Sequence, residues 1–403
     1  STIDESDLIL ARTLEQWAEK EVLSKRLEHR EDYELLLKPA MRKLFVDLEL
    51  QKMAWPENCG GIGLNKPDVA QTLAVALEKI GYADSGIGYL FAVTFALCSS
   101  FNLAHNHNEE LCQRLAPLFC QTETAAIGSL ILPAYGTKVS TPAEPLYKGK
   151  PLPAKAIRNG GRWVITGEKL RPLNSGCDAL LFGVLCSLEN EKEPGLILVP
   201  ADSPGLTRGE PILKTGLAAS INTDINLKAV RVPVENLVFS DQNSLRQMLA
   251  WLYLGVAAVS VGSLFAVFEI IKEWGNTRVI KGKNSPFKEN PLTASLMAET
   301  GHELLINRLL LYQMASLISR PNDYGHGAEE QLFISALSIV SQITMSAEKA
   351  INQTMELMGS AGYATEWNLE RYWRDLKTMQ IHLGSWELNK IDLARYFFQS
   401  KSL

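Results

Sequence analysis

The sequence predicts an α+β chain in three successive parts: helical, then β, then helical again. Three observations carry this prediction. From Ser1 to about Thr122 the apolar residues recur at helical spacing, with Leu8, Leu10, Leu14 and Trp17 near one face and Glu and Lys between them. Between about Glu123 and Ser240 the pattern changes to short branched segments (RWVITGEKL, ALLFGVL, GLILVP, AVRVPVENLV) separated by Gly, Pro and Asn, which is strand-and-turn spacing. From Asn243 onward long apolar-periodic stretches return, interrupted at Asn284-Ser285-Pro286 and at the turn from Gly359 to Gly362. The expected domains are therefore 1–122, 123–240 and 241–403.

Within the first part, Trp55-Pro56-Glu57-Asn58-Cys59-Gly60-Gly61 breaks the helices. A helix is expected from Pro67 to Gly81 and another from Asp84 to Ser100, with Asp84 and Ser85 as N-cap candidates. The chain has 403 residues, 46% hydrophobic and 21% charged, an ordinary globular composition too long for one small core. A net charge of −5 with scattered Lys and Arg lacks the basic footprint of a nucleic-acid binder, and none is expected. The six cysteines show no CxxC spacing and sit mostly among apolar neighbours, which fits small buried hydrophobes in a reducing compartment rather than metal ligands. The first residues carry no basic start or cleavable apolar core, and WLYLGVAAVSVGSLFAVFEI is broken by Gly and Ser. A cytoplasmic protein without a membrane span is the expectation.

Several motifs narrow the function. MELMGSAGYATEWNLERYWRDLKTMQIHLGSWELNK, from Met355 to Lys390, resembles the C-terminal signature of the acyl-CoA dehydrogenase family. KTGLAASINTDINLKAVRVPVENL, from Lys214 to Leu237, is similar to the family's KMG…S…T…VPxEN segment. RVIKGK, from Arg278 to Lys283, stands where the family has RxxFG, and the Trp55–Gly61 turn resembles PExxGG. These matches fall in family order along nearly the whole chain. The resemblance implies an N-terminal helical domain, a middle β-barrel domain and a C-terminal four-helix bundle. It implies FAD as cofactor, an acyl-CoA substrate and assembly as a dimer or tetramer with itself or a homologous subunit. Electron-transfer flavoprotein is the electron acceptor it would suggest. In the family reaction a glutamate removes the α-proton of an acyl thioester while the flavin takes the β-hydride. Such a proton is too weakly acidic for water, so the base must be a desolvated carboxylate of raised pKa.

The resemblance divides the flavin contacts between two chains, and the two halves are unequally kept here. On the ring side, Pro133, Gly136 and Thr137 match the family's TEPxxGS/T stretch, but Ile131 and Leu132 replace its Thr and Glu, removing a donor. Arg171 stands in place of the aromatic that packs on the flavin, and Leu173 in place of a Ser/Thr donor; Pro172 removes a backbone N–H. On the phosphate side, Arg278 keeps a guanidinium suited to a pyrophosphate. Phe287 is present one residue early and is followed by Lys288 instead of Gln. Glu356 replaces the Gln that opens the adenosine-end turn, while Gly359 and Gly362 keep its first and last glycines. The cofactor-binding candidates are Gly136, Thr137, Arg278, Phe287, Glu356, Gly359 and Gly362. Each also has a plainer structural reading, such as a helix-end charge for Arg278 or a helix stop for Gly359.

No catalytic residue is assigned. Leu383 occupies the family's usual glutamate position, and Leu252 the alternative position on the first bundle helix. His382 has a suitable intrinsic pKa but stands at a helix–loop junction, where structural hydrogen bonding is commoner. Glu387 reads as a surface residue, Asp84 as a cap and Asp375 as half of a structural Arg–Asp pair. Three functions remain. The chain could be one subunit of a heteromeric acyl-CoA dehydrogenase. It could be an autonomous flavoenzyme needing no carboxylate base, such as an enoyl-CoA reductase or a flavin monooxygenase. It could also be a non-redox binding protein.

Overall fold

The computed structural model describes residues 4–63, 69–102, 108–133, 152, 154–279, 282, 284–320, 328–381 and 385–399. The first helical rod comprises α1 (Glu5–Trp17), a π-helical segment (Ala18–Leu23) and α2 (Ser24–His29). Asp4 caps it by accepting from Ser6 N at 3.1 Å. Trp17 is buried and donates its indole N–H to Ala40 O at 3.1 Å, fastening the rod to the next short helix, α3 (Lys38–Arg42). Two very apolar helices follow, α4 (Val69–Ala83) and α5 (Ser85–Asn102). Asp84 lies between them, and its Oδ1 accepts from Ile87 N at 2.9 Å, as an N-cap must. Short helices α6 (Glu109–Leu115) and α7 (Pro117–Cys120) lead to the β domain.

Eight strands form one sheet: β1 (Gly128–Ile131), β2 (Ala154–Asn159), β3 (Arg162–Leu170), β4 (Leu181–Leu188), β5 (Gly195–Pro200), β6 (Leu206–Arg208), β7 (Ile225–Pro233) and β8 (Leu237–Phe239). Its order is β6-β7-β3-β2-β4-β5-β8, with β1 pairing in parallel to β4. Strands β1 and β4 are apolar and almost wholly buried, whereas β7 alternates buried and solvent-facing residues as a half-covered strand does. The long β3–β7 pairing matters below because its register, Leu170 opposite Ile225, fixes what lies just beyond the strand ends.

The last third holds α8 (Gln242–Thr277), α9 (Pro291–Ser319), α10 (Ala328–Met358), α11 (Leu369–Gln380) and α12 (Ser385–Gln399). Asp241 caps α8 through Ser244 N at 2.8 Å, and Asn290 caps α9 ahead of Pro291. Helices α8, α9 and α10 pack mutually, and α8 also packs on α4 and α5, so the N-terminal helices and the bundle share one core.

The expectation about membrane helices needs correcting in one respect. By length and mean hydropathy, α5 and α8 are apolar enough to cross a membrane. Breaks by single Gly or Ser do not lower the hydropathy of an 18-residue stretch enough to matter. Both helices are enclosed by protein instead: α5 is entirely buried, as is 78% of the most apolar stretch of α8.

A cluster of four buried charges joins the three domains. Arg26 of α2 donates to Asp84 Oδ2 at 2.7 Å, and Arg371 of α11 lies 3.5 Å from the same oxygen. Asp375, one turn on, is 3.8 Å from Arg371 and accepts from the backbone N–H of Leu217 at 2.5 Å. Leu217 sits at φ +56 on the loop leading into β7, a conformation that costs a branched side chain energy and is held by this bond. Arg374 extends the connection outward, donating to Glu31 at 2.6 Å and to Thr215 O at 2.7 Å.

Candidate flavin and substrate site

At the position where the family's alternative base would stand, Leu252 on α8 is completely buried. Its neighbour Tyr253 packs on Phe333 with ring centroids 6.0 Å apart, and Trp251 on Phe95 at 5.7 Å. Tyr89 to Phe95 on α5 are all buried. Gly255 shows how tightly α5 and α8 close: a Cβ there would fall 2.6 Å from Ala92 Cβ. This stretch of α5 and α8 is thus packed core in this chain. Leu383 and His382 lie outside the described residues. Glu387 is 75% exposed and pairs with Lys390 at 2.5 Å, a surface residue as the sequence suggests.

The buried acids are committed elsewhere. Asp84 caps α5 and balances two arginines. Its burial works against the charged form, but Arg26 and Arg371 outweigh that and hold its pKa below the usual carboxylate value. Asp375 goes the other way: burial, then the neighbouring Asp84 charge, push its carboxyl up to about 6. Glu78 on α4 accepts from Arg308 Nε at 3.0 Å and from the Tyr312 hydroxyl at 3.0 Å. These acids have protein partners rather than an open path to a reacting carbon.

The ring-side loop from Lys169 to Gly176 makes most of its hydrogen bonds within the protein, although the buried Asn174 Oδ1 and Ser175 Oγ have no partner among the described residues. Arg171 makes a two-point ion pair with Asp224, Nε to Oδ1 at 2.9 Å and a terminal nitrogen to Oδ2 at 3.2 Å. Sequence reasoning did not find Asp224. The β3–β7 register produces the pair, since Leu170 opposite Ile225 sets Arg171 opposite Asp224. Asn222 acts as a clip, donating to Pro172 O at 2.7 Å and accepting from Gly176 N at 3.0 Å. Leu173 N donates to Leu130 O at 2.8 Å. Asn174 donates to Gly128 O at 3.1 Å, and Ser129 Oγ to Asn174 O at 2.7 Å. Ile131 and Leu132 are buried. Gly136 and Thr137, assigned to this half from the sequence, lie outside the described residues.

The phosphate-side half is open. Arg278 follows the end of α8, its N–H donating to Trp274 O at 2.8 Å, and its side chain is exposed with no ion pair among the described residues. Phe287 is brought beside it by the hydrogen bond from Phe287 N to Arg278 O at 2.8 Å, and its ring meets Trp274 edge-on at 4.9 Å. Gly359 has φ +58, and a Cβ there would touch nothing within 4 Å, leaving free space over an exposed turn. Gly362 differs: it is buried and would bring a Cβ to 2.9 Å from Met355 O, so it is needed for packing against α10. Glu356 is exposed. Arg278 thus offers an exposed guanidinium and Gly359 an open backbone turn, each suited to a phosphate contact, whereas Arg171 and Leu173 do not fit an isoalloxazine ring.

A helical–β–helical chain with these two half-sites has the architecture of a flavin-dependent dehydrogenase. A profile for the acyl-CoA dehydrogenase N-terminal domain matches residues 4–123, and one for the C-terminal domain matches residues 243–397. The chain belongs to the acyl-CoA dehydrogenase family. It is 26% identical over 368 residues to cyclohexane-1-carbonyl-CoA dehydrogenase of Syntrophus aciditrophicus, covering 89% of this chain and 88% of that one. It is 24% identical over 404 residues to the mitochondrial short-chain specific acyl-CoA dehydrogenase of Mus musculus, covering 99% and 91%. The fold matches butyryl-CoA dehydrogenase from Megasphaera elsdenii with a TM-score of 0.82 at 20% identity, over 99% of both chains.

Proposed function

We propose that this chain is one subunit of a heteromeric, FAD-dependent acyl-CoA dehydrogenase, contributing the phosphate-side contacts to a flavin whose ring and catalytic carboxylate belong to a homologous partner. One contrast carries the reading. Arg171 and Asn222 tie down most of the ring-side loop, leaving Asn174 Oδ1 and Ser175 Oγ buried without partners among the described residues, whereas Arg278 and Gly359 stand open to solvent. An exposed guanidinium is suited to a diphosphate, which it can grip with paired charge-assisted hydrogen bonds. When bound, FAD supplies the acceptor for two electrons. This chain's residues would hold its diphosphate, while the packed Leu252 region stays chemically inert.

The test is to purify the chain alone and together with a homologous dehydrogenase subunit encoded beside it, and to record visible flavin absorbance and acyl-CoA oxidation. The expected result is a colourless, inactive chain alone and a yellow, active complex holding one flavin per pair. Stoichiometric flavin and dehydrogenase activity in a homo-oligomer of this chain would overturn the proposal in favour of an autonomous flavoenzyme.

A further inference from the structure

A cavity of about 250 Å³ opens between the first helical rod, α4 and α8. It is lined by Glu15, Ala18, Glu19 and Leu23 from the rod, Glu78, Lys79 and Tyr82 from α4, and Phe265 from α8. Phe265 is 13 positions beyond Leu252 on one helix, a rise of roughly 20 Å. The cavity is thus separate from the dehydrogenase site, and nothing in the proposed function uses it.

Its walls have a definite chemical character. Tyr82 and Phe265 form a corner, with ring centroids 5.6 Å apart and planes at 59°. The negative faces of two such rings favour a cation, most of all one too weakly hydrated to prefer water. Ala18 and Leu23 supply apolar wall from the π-helical segment, a wider turn that is rare and often marks binding sites. The lining carries three carboxylates and one ammonium. Lys79 is paired with Glu15 at 2.6 Å, and Glu78 with Arg308 at 3.0 Å, which leaves Glu19 without an ion pair among the described residues. The Lys79 ammonium also lies 5.9 Å from the centre of the Phe265 ring. A cation thus already rests against the aromatic corner, reaching in from the chain itself.

We propose that this cavity binds a small organic ammonium ion with an apolar substituent, seated against Tyr82 and Phe265 with Glu19 as counter-charge, and that Lys79 competes with it. The volume corresponds to roughly eight water molecules at their share of the liquid, enough for a benzyl or short-alkyl ammonium. Burial and then the neighbouring Tyr372 push the Tyr82 hydroxyl up to about 12, with Glu269, Glu19 and Glu15 adding to the shift, so the phenol stays neutral at working pH.

Binding of benzyltrimethylammonium to the full chain, followed by titration calorimetry, tests this against its uncharged isostere neopentylbenzene. Saturable binding of the cation is expected, with the isostere at least about five-fold weaker. Phe265→Leu, which keeps apolar volume, should weaken the cation about five-fold, and Glu19→Gln about three-fold. Lys79→Met should tighten it about three-fold, because it removes the resident competitor and frees Glu15. Thermal melts confirm that each variant folds. Equal binding of the isostere, no change in Phe265→Leu, weaker binding in Lys79→Met, or no saturable binding at all would each overturn the proposal.

Discussion

The Lys169–Gly176 loop and the Arg278–Gly359 face are two halves of what the family uses as one flavin site, and they have opposite physical states. In the first, most polar groups find partners within the protein, Asn174 Oδ1 and Ser175 Oγ being left without one among the described residues, and an exposed arginine is held by an aspartate one register position past the strand ends. In the second, an exposed guanidinium has no ion pair among the described residues, and a left-handed glycine has open space where a Cβ would stand. A binding surface that has lost its ligand can close by hydrogen-bonding to itself, because unpaired buried polar groups are costly. A surface still serving a ligand cannot close in this way. The difference favours a shared site over a uniformly decayed one.

The sharpest way to break the comparison is at Asn222. Asn222→Ala leaves Gly176 N and Pro172 O without their partner in a buried loop and should cost about 2–6 kcal/mol in denaturant unfolding, at one to three for each unsatisfied group. A loss under about 1 kcal/mol would mean that the ring-side loop is not internally locked. Next is the pH dependence. The folded pKa of Asp375, about 6, lies above the ordinary value near 3.9, so the native state binds that proton more tightly than the unfolded chain. Its contribution to stability is complete below about pH 4 and is lost as pH rises through about 6. Asp375→Asn should remove that downward slope from a series of unfolding curves between pH 4 and 7; an unchanged slope would assign it to another group.

Arg278→Ala tests the open half. Flavin retention by the two-chain complex should fall about ten-fold, a loss near 1.4 kcal/mol, with no shift in melting temperature of the chain alone. Unchanged retention would remove Arg278 from the site. The smallest effect is expected at Arg171→Ala. Its partly exposed ion pair contributes roughly 0–1 kcal/mol, and flavin content should not change. A marked drop in bound flavin would show that the ring side is in use after all.

Much of the architecture was legible in the sequence, because periodicity switches cleanly from helical to strand and back. The cap at Asp84 also followed from local pattern, and the surface position of Glu387 from the family resemblance. The Arg171–Asp224 pair was not legible, since it depends on the register of strands 53 positions apart, which one sequence does not state. The Asp84–Arg26 contact was equally hidden: Asp84 read only as a helix cap, and it is packing that brings α2 to the start of α5. Gly359 and Gly362 looked alike in the motif, but only their surroundings show one over free space and the other wedged against α10. The hydropathy of α8 reflects a helix enclosed by α4, α5, α9 and α10, a demand for apolar surface that run length alone does not distinguish from lipid.

The buried bond from Leu217 N to Asp375 has a consequence for how the molecule comes apart. It anchors a β-domain loop to the bundle, while Arg26 and Arg371 clasp Asp84 from two other directions. No one of the three domains can swing away without stranding a charge in a dry interior. Opening should therefore be all-or-none around this point, and the Leu217 amide should exchange its hydrogen only when the entire chain unfolds. That one amide is therefore a gauge of the chain's structural unity.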